Sequence, residues 1–465
     1  VVPAEAAAPA PAKPPRKLNL RDALAIAIES NREHIAQKES LYVTALGLTG
    51  TQYAFSPRVA AALAYTFGGD DSGAHADLAN LSASVAQRLP WGGEASITAG
   101  SSFATSSDPL LPNLFDSSVA IRLTQPLLRD AGHEVAWEAL KQAERSVIYA
   151  IREFELFREN FSIDVASRFY NLVEQKQGLE NQRRNLEDFV FGRKQAEALF
   201  SVGRTSELEV LRARRSELTS QNSLIEAEEG FRLALDRFRI FLGLPDTEAV
   251  DVQNEEPAFV SVDYDVESAV SVALENRLDW LNRREQLEDA ERGVRIAKNG
   301  LLPDLTLSLG YDVSAPGDRS FAHQGLDDGS YSAGLSLGIP LQRVNERNSY
   351  RAAQIGLARA TRFVAQFKDD LVVSVRSTFR ELERRKQSLE IQAQLITDQE
   401  KNVKIAQLRF DQGNFSNRDV VEAQQALLDA QNALIREKVG YEIARLGLLR
   451  DLGILFIDAK GMWKE

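Results

Sequence analysis

Side chains able to carry bond-breaking chemistry are sparse in this chain. It has no cysteine, which excludes thiol nucleophiles, thiolate metal ligands and disulfides. Its only histidines, His34, His75, His133 and His323, fall in different expected elements, and no H-E-x-x-H, G-x-S-x-G, Walker or G-x-G-x-x-G pattern occurs. No catalytic residue, metal centre or cofactor is therefore expected. What stands out is charge placed just after two glycine-centred breaks. After Gly413 the sequence runs Asn414-Phe415-Ser416-Asn417-Arg418-Asp419-Val420-Val421-Glu422, and Asp419 and Glu422, three apart, share one helix face. A ring of such carboxylates selects cations, and like charges held close raise one another's pKa. A local role also fits, since Ser416 is a good N-cap and an acid in the first turn suits the helix dipole. The two roles can coexist.

The other break is followed by Arg204-Thr205-Ser206-Glu207-Leu208-Glu209-Val210-Leu211-Arg212. Ser206 and Glu209 make a Ser-x-x-Glu capping box, which suffices to explain Glu209. Arg212 stands in the place equivalent to Glu422, and Glu209 in that of Asp419. Oppositely charged tips can bridge, and the candidate links are Arg212 to Glu422 and Arg418 to Glu209, although exposed pairs contribute only about 0 to 1 kcal/mol each. The runs Arg183-Arg184 and Arg384-Arg385-Lys386 read as solvated helix faces.

Long helices must carry these tips. No proline occurs between Pro126 and Pro245, nor after Pro340, and an interior proline would cost a helix about 3 kcal/mol. Both intervals are rich in good helix formers, and each has one break, at Ser201-Val202-Gly203-Arg204 and at Asp411-Gln412-Gly413-Asn414, where glycine can end a helix in the left-handed conformation. Each interval reads as a helical hairpin, about 131–242 and about 343–452. The run from about Glu134 to Phe200 would extend roughly 100 Å, too long for a compact globular domain.

The intervening segments, about 57–126 and about 303–340, alternate with period two. Leu305, Leu307, Leu309 and Tyr311 interleave with Asp304, Thr306, Ser308 and Gly310, and Tyr331, Ala333, Leu335, Leu337 and Ile339 with Ser332, Gly334, Ser336 and Gly338. Val59 to Phe67 and Val119 to Leu123 repeat the pattern. Strands of about ten residues with one apolar side suit a membrane β-barrel, and equally a soluble antiparallel sheet with one wet face. No stretch approaches the roughly 18 to 20 apolar residues of a membrane-spanning helix. With 55 Lys+Arg against 67 Asp+Glu the net charge is −12, so general nucleic-acid binding is not expected. The opening 1–17, rich in Ala and Pro, reads as an extended linker like that after a cleaved export signal, and 456–465 as a C-terminal tail.

The chain repeats itself. A shift of 246 residues aligns Ala23 with Ala269, Ala27 with Ala273, Gly47 with Gly293, Pro57 with Pro303 and Tyr65 with Tyr311. A shift of 210 aligns Phe169 with Phe379, Gln177 with Gln387, Gly203 with Gly413, Ser206 with Ser416 and Leu242-Gly243 with Leu452-Gly453. Two structural repeats, 18–245 and 246–455, follow. With Ala23-Leu24-Ala25-Ile26-Ala27 before Asn31, the Leu-Pro-Asp-Leu-Thr-Leu run from Leu302 to Leu307, the Leu-Thr-Gln-Pro-Leu-Leu run from Leu123 to Leu128 and the two glycine tips, the chain from Leu18 to about Leu455 resembles the TolC-like outer-membrane efflux protein family.

That resemblance implies a mainly α fold with membrane β: a homotrimer sharing one outer-membrane β-barrel continuous with a long periplasmic α-helical barrel. Its implied role is a passive exit duct, in a tripartite efflux pump or type I secretion system, that joins an inner-membrane transporter and its periplasmic adaptor to the outside of a Gram-negative-type bacterium. Asp419 and Glu422 match the acidic positions of the family's periplasmic constriction. Phe410 and Phe415 stand where the family often has a tyrosine and an arginine, so the closing network must differ here and packing is their default role. Val202, Gly203 and Arg204, with Gln412, Gly413 and Asn414, resemble the tips that meet the adaptor, and simple turns explain them equally well. The family pattern has two membrane strands per repeat, whereas Leu81 to Leu89 and Glu94 to Phe103, joined by Pro90-Trp91-Gly92-Gly93, add strand-like sequence. This hairpin can lengthen outer loops, lie at the rim or enlarge the barrel, and four membrane strands per protomer are expected. A soluble periplasmic coiled-coil adaptor or scaffold is the alternative, which leaves the strands and the repeat unexplained.

Overall fold

Alternation and glycine placement carry through to the observed elements. The computed structural model describes residues 15–464 apart from 70–74, 107–113, 263–264, 317–328 and 413–415. The order is β1 (Arg16–Leu18), α1 (Leu20–Ser30), α2 (Arg32–Phe55), β2 (Arg58–Gly69), β3 (His75–Arg88), β4 (Glu94–Ser106), β5 (Leu114–Pro126), α3 (His133–Ala136), α4 (Glu138–Ser201), α5 (Glu207–Leu242), β6 (Val250–Val252), α6 (Val266–Asn276), α7 (Leu278–Asn299), β7 (Asp304–Pro316), β8 (Ser330–Gly338), α8 (Val344–Asp411) and α9 (Asn417–Asp451). The first long helix is interrupted at Trp137, which separates the single turn α3 from the 64 residues of α4. The repeat is structural: the shift of 246 carries α1 onto α6 residue for residue, and the shift of 210 makes α4 end with α8 and α5 begin with α9.

Two compact units divide these elements, and each takes pieces of both repeats. The first comprises residues 1–39, 153–281 and 367–465. Its core gathers Leu18, Leu24, Val165, Phe169, Leu242, Val252, Leu446 and Trp463. β1 pairs in parallel with β6, Leu18 opposite Val252, so residues 16 and 17 belong to a strand rather than to the expected linker. The expected tail is also folded in: Ile457 bridges Trp463, and the Arg158 guanidinium donates to the Asp458 carbonyl at 2.7 Å. Gly243 and Gly453, both at positive φ, end α5 and α9. A Cβ on Gly243 would lie 2.1 Å from the Ser30 carbonyl oxygen, and one on Gly453 2.8 Å from the Asn276 carbonyl carbon. Each repeat therefore closes a long helix onto the end of its short one by the same glycine contact.

Glu159, on α4, is buried with its Oε2 accepting no hydrogen bond. Burial, reinforced by Glu155 and Asp279 and opposed by Arg450 and Arg277, raises its carboxyl to about 7. The folded state thus holds a proton that the unfolded chain releases above its ordinary carboxylate value. Stability conferred by the protonated form is complete at pH 4 and declines as pH rises toward 7. Glu159→Gln is expected to abolish that decline and to gain on the order of 2 to 3 kcal/mol at pH 8, read from urea melts at pH 5 and pH 8; equal gains at both pH values would refute it.

The second unit comprises residues 40–152 and 282–366. It holds a six-stranded antiparallel sheet in the order β2-β3-β4-β5-β7-β8. The sequence marks 81–89 and 94–103 as strand-like but leaves their place open, with four membrane strands as the expectation. β3 and β4 instead form a full hairpin inserted between β2 and β5, paired from Ala76 with Ser106 to Arg88 with Glu94. Register keeps odd-numbered residues on one face throughout. One row across the sheet reads Val59, Val85, Ile97, Ile121, Tyr311 and Tyr331, and the adjacent row on the other face reads Ala60, Ser84, Thr98, Ala120, Asp312 and Ser330. Polar residues interrupt the apolar face mainly toward the strand ends, at His75, Asp77, Gln87, Thr105 and Gln125, and at Ser101 opposite Ser117, while Leu78 and Leu114 lie on the other face; Asp77 accepts from the Tyr65 hydroxyl at 2.6 Å. A one-residue slip at any joint would have turned half of the sheet over.

Near the start of α4, Arg145, Arg152 and Arg292 pair with Asp289, Glu285 and Glu138, and the Tyr149 hydroxyl donates to Asp289 at 2.6 Å. This network ties α4 to α7 beside the strands.

Candidate functional site at the helix tips

The tip between α4 and α5 is built by glycine. Gly203, at φ 72°, takes the left-handed conformation, and its N–H and that of Arg204 donate to the carbonyls of Phe200 and Leu199, each at 2.9 Å. These bonds satisfy the end of α4. Ser206 then caps α5, its hydroxyl accepting from the Glu209 N–H at 3.4 Å. Val202 at the apex is 67% exposed, an unusual place for an aliphatic side chain on a turn of charged and polar residues. At the second tip Gln412 is exposed, while Gly413, Asn414 and Phe415 lie outside the described residues.

α9 opens on a tight carboxylate cap. Asp419 Oδ2 accepts from both the N–H and the hydroxyl of Ser416, each at 2.8 Å. These bonds, led by the hydroxyl, hold the Asp419 carboxyl below the usual aspartate value. Asp419 is therefore ionised at neutral pH, and its capping contribution is present above the ordinary aspartate pKa and lost only as pH falls through the depressed one. Glu422 accepts from Arg418 Nε at 2.6 Å within the same helix, in an exposed pair. On α5, Arg212 donates to Glu209 Oε1, also at 2.6 Å. Within the single chain the four charged residues thus pair along their own helices, and neither Arg212 with Glu422 nor Arg418 with Glu209 is among the ion pairs of the described residues. Glu209 Oε2 is shielded from solvent and has no hydrogen-bond partner.

Phe410, like Val403, packs against the cluster of Ala406, Val420 and Ala423, and it lines a cavity of about 200 Å³ with Asp188, Phe189 and Gln424. Packing is thus its observed role. A neighbouring cavity of about 380 Å³ is lined by Arg212, Arg215 and Arg418 together with Phe189 and Gln425. Sequence reasoning identified two of these arginines and missed Arg215, and it missed Asp188, whose carboxyl burial raises. It missed as well the Arg193–Glu217 ion pair that joins α4 to α5 and the bond from Gln195 to Asp411, 3.0 Å, that joins α4 to α8. The one available signal was that Arg215 falls three residues after Arg212, on the same face. Among the described residues no group of His, Asp and Glu side chains is arranged to hold a metal ion, and no helix is long and apolar enough to cross a membrane.

Comparison with known proteins adds a lineage to this geometry. The family model described as outer membrane efflux protein matches residues 269–453. The chain is 23% identical over 355 residues to outer membrane protein TolC of Escherichia coli K12, covering 73% of this chain and 70% of TolC. It is 24% identical over 378 residues to the pyoverdine export outer membrane protein OpmQ of Pseudomonas aeruginosa, covering 74% and 77%. Among solved structures, the Campylobacter jejuni CmeC outer membrane channel superposes with a TM-score of 0.69 at 15% identity, covering 93% of this chain and 85% of that one. The open state of the Neisseria gonorrhoeae MtrE channel does so with 0.65 at 12%, covering 94% and 89%. At such identities the structures establish a shared fold.

Proposed function

We propose that this chain, a member of the TolC-like outer-membrane efflux protein family, is a passive exit duct of a tripartite efflux pump or a type I secretion system, closed and opened at its periplasmic helix tips. The observation that carries the reading is the sheet: one predominantly apolar face backed by mostly small and polar residues across all six strands. Such a face suits lipid on one side and water on the other, in the outer membrane of a Gram-negative bacterium. In lipid a sheet must close so that every backbone group is paired, and the relatives' lineage supports closure as a homotrimer. The long helices then extend into the periplasm, toward an adaptor and an inner-membrane transporter that supplies the energy.

In the trimer Asp419 and Glu422 form rings of three carboxylates around the periplasmic opening. The orphan Oε2 of Glu209 supports a link to Arg418 of a neighbouring copy, and Arg212 can exchange its own-helix partner for Glu422 in the same way. Each exchange swaps one exposed pair for another, so the closed and open states differ by little, as a gate moved by a partner requires. Val202, Gly203, Arg204 and Gln412, with Gly413 and Asn414, form the adaptor-facing tips. Val202→Asp is expected to reduce pump-dependent export by roughly tenfold, since about 1.4 kcal/mol of lost docking is a factor of ten, with trimer yield unchanged; wild-type export would remove the tip from the docking surface.

The reading as a whole is tested by washing membranes with urea, extracting with detergent and measuring the native mass with bound detergent subtracted. A urea-resistant trimer is expected. A soluble monomer or dimer would overturn the duct and leave the periplasmic scaffold.

A further inference from the structure

We infer that the hairpin β3–β4 is part of the membrane wall, so that β8 of each copy pairs with β2 of the next and three copies close an eighteen-stranded barrel, wider than the twelve strands implied by two per repeat. The inference rests on the trimeric duct proposed above and specifies its outer end.

Three observations converge on it. The hairpin lies inside the ladder, with β2 bonded to β3 and β4 to β5 along their lengths, so among the described strands β2 and β5 are not paired neighbours that would close a four-stranded unit without it. Its alternation matches that of its neighbours in phase, with Val85 and Ile97 falling in the row of Val59 and Ile121; a hairpin lying in outer loops or at a rim needs no such match. Its turn sits at the helix-bearing end of the sheet: the Gly132 N–H, on the segment leading into α3, donates to the Trp91 carbonyl at 3.1 Å. A Cβ on Gly92 would come within 2.4 Å of the Asp130 carbonyl oxygen. The strands therefore run from the helix end to the far end of the sheet, as β2, β5, β7 and β8 do.

The two free edges point to a second copy of this chain as their partner. Soluble proteins blunt sheet edges with lysine, proline or inward charge. β8, Ser-Tyr-Ser-Ala-Gly-Leu-Ser-Leu-Gly, carries none of these, and β2 carries only Arg58 at its first position. Because six is even and every joint is antiparallel, β8 of one copy meets β2 of the next in antiparallel sense, continuing the pattern. Six strands alone are too few to enclose a lumen, since eight leave room only for side chains. At a strand spacing of about 4.8 Å and a tilt of about 40°, eighteen strands give a backbone diameter of about 36 Å, against about 24 Å for twelve. With inward side chains about 5 Å deep, the open cross-section grows roughly threefold. The outer end then passes cargo that a twelve-stranded wall would exclude.

The test uses the full chain reconstituted in planar bilayers, with polyethylene glycols of graded size added from the sheet side, and a variant lacking residues 75–106, which joins β2 to β5. Both are first weighed in detergent. The full chain is expected to admit polymers up to roughly 26 Å across and the deletion variant only those below roughly 14 Å. Equal cut-offs from two trimeric proteins would overturn the inference, as would a cut-off near 14 Å for the full chain, a reading that stands even where the deletion variant fails to fold. Independently, because the chain has no cysteine, Gly334→Cys is combined with Ala60→Cys, Ala62→Cys or Ala64→Cys in turn. At least one pair is expected to oxidise into a covalently closed trimer, and failure of all three in a trimeric protein would overturn the β8–β2 joint. A mass other than three chains would overturn the duct reading itself, whatever the cut-off.

Discussion

Replacing Asp419 and Glu422 together by alanine is expected to raise single-channel conductance severalfold and to weaken block by multivalent cations by on the order of tenfold, about 1.4 kcal/mol. On the proposed duct, the double substitution removes six carboxylates from the periplasmic opening of the trimer. The two positions are not equivalent. Glu422 is already paired with Arg418 on its own helix, whereas the hydrogen bonds that Asp419 accepts come from uncharged Ser416 groups and Arg418 acts on it only through space, so more of its negative charge is expressed. Asp419→Ala alone should therefore carry most of the loss of block, and Arg418→Gln, which unmasks Glu422, should strengthen block in an otherwise unchanged channel. Because the Ser416 bonds hold the Asp419 carboxyl low, block should persist from pH 8 to pH 5 rather than fade in that window. Asp419→Ala also removes the cap of α9, so Asp419→Asn, which keeps a side-chain acceptor without the charge, separates gate from cap. Unchanged conductance and block in both Asp419→Asn and the double variant would remove these residues from the gate.

Gly243→Val is expected to abolish assembly, and Gly453→Val to do the same from the other repeat. Each residue sits at positive φ, at 79° and 70°, where a β-branched side chain costs on the order of 1 to 3 kcal/mol in backbone strain alone. The Cβ must in addition displace the backbone at the end of α1 or α6, which lies within 2.1 Å and 2.8 Å of it. A total of about 4 kcal/mol or more is a large part of the stability of any one domain. Gly203→Ala is the control. It has φ 72° but nothing within 4 Å of the added Cβ, so about 1 kcal/mol of strain is all it incurs. The yield of urea-resistant trimer should fall to background for the first two and stay near wild type for the third. Wild-type yield from Gly243→Val would show that the helix end can move aside.

The two glycines also illustrate what could be read without coordinates. The shift of 210 residues matched Gly243 with Gly453, and the pairing of both with the ends of α1 and α6 follows once the shift of 246 is laid over it. Helix breaks at Gly203 and near Gln412, the proline-free helical runs and the alternation of Leu305 to Tyr311 were legible for the same reason. Each is a local property, fixed by φ/ψ preference or by a period of two or 3.6 residues, and locality is what a sequence displays.

The places where the reading stopped short depend on which segments meet. Alternation in β3 and β4 marked them as strands but was silent on their neighbours, because a strand's period is the same at a rim, in a loop or inside a wall; only the ladder between β2 and β5 decided that. Residues 456–465 look like a tail, since their apolar residues follow no regular period, yet Ile457, Met462 and Trp463 pack into the core with α1 and α4. Glu159 lies in a run of ordinary helix-forming residues, and its raised carboxyl arises from burial, which the residues beside it in sequence do not display. Local pattern alone reveals the repeat, the helical hairpins, the glycine-centred breaks and the carboxylates beside them. Tertiary structure alone decided the strand count, the partners of each charge and the packing of the chain's end, because these are set by contacts between distant segments, whose free energy no local pattern encodes.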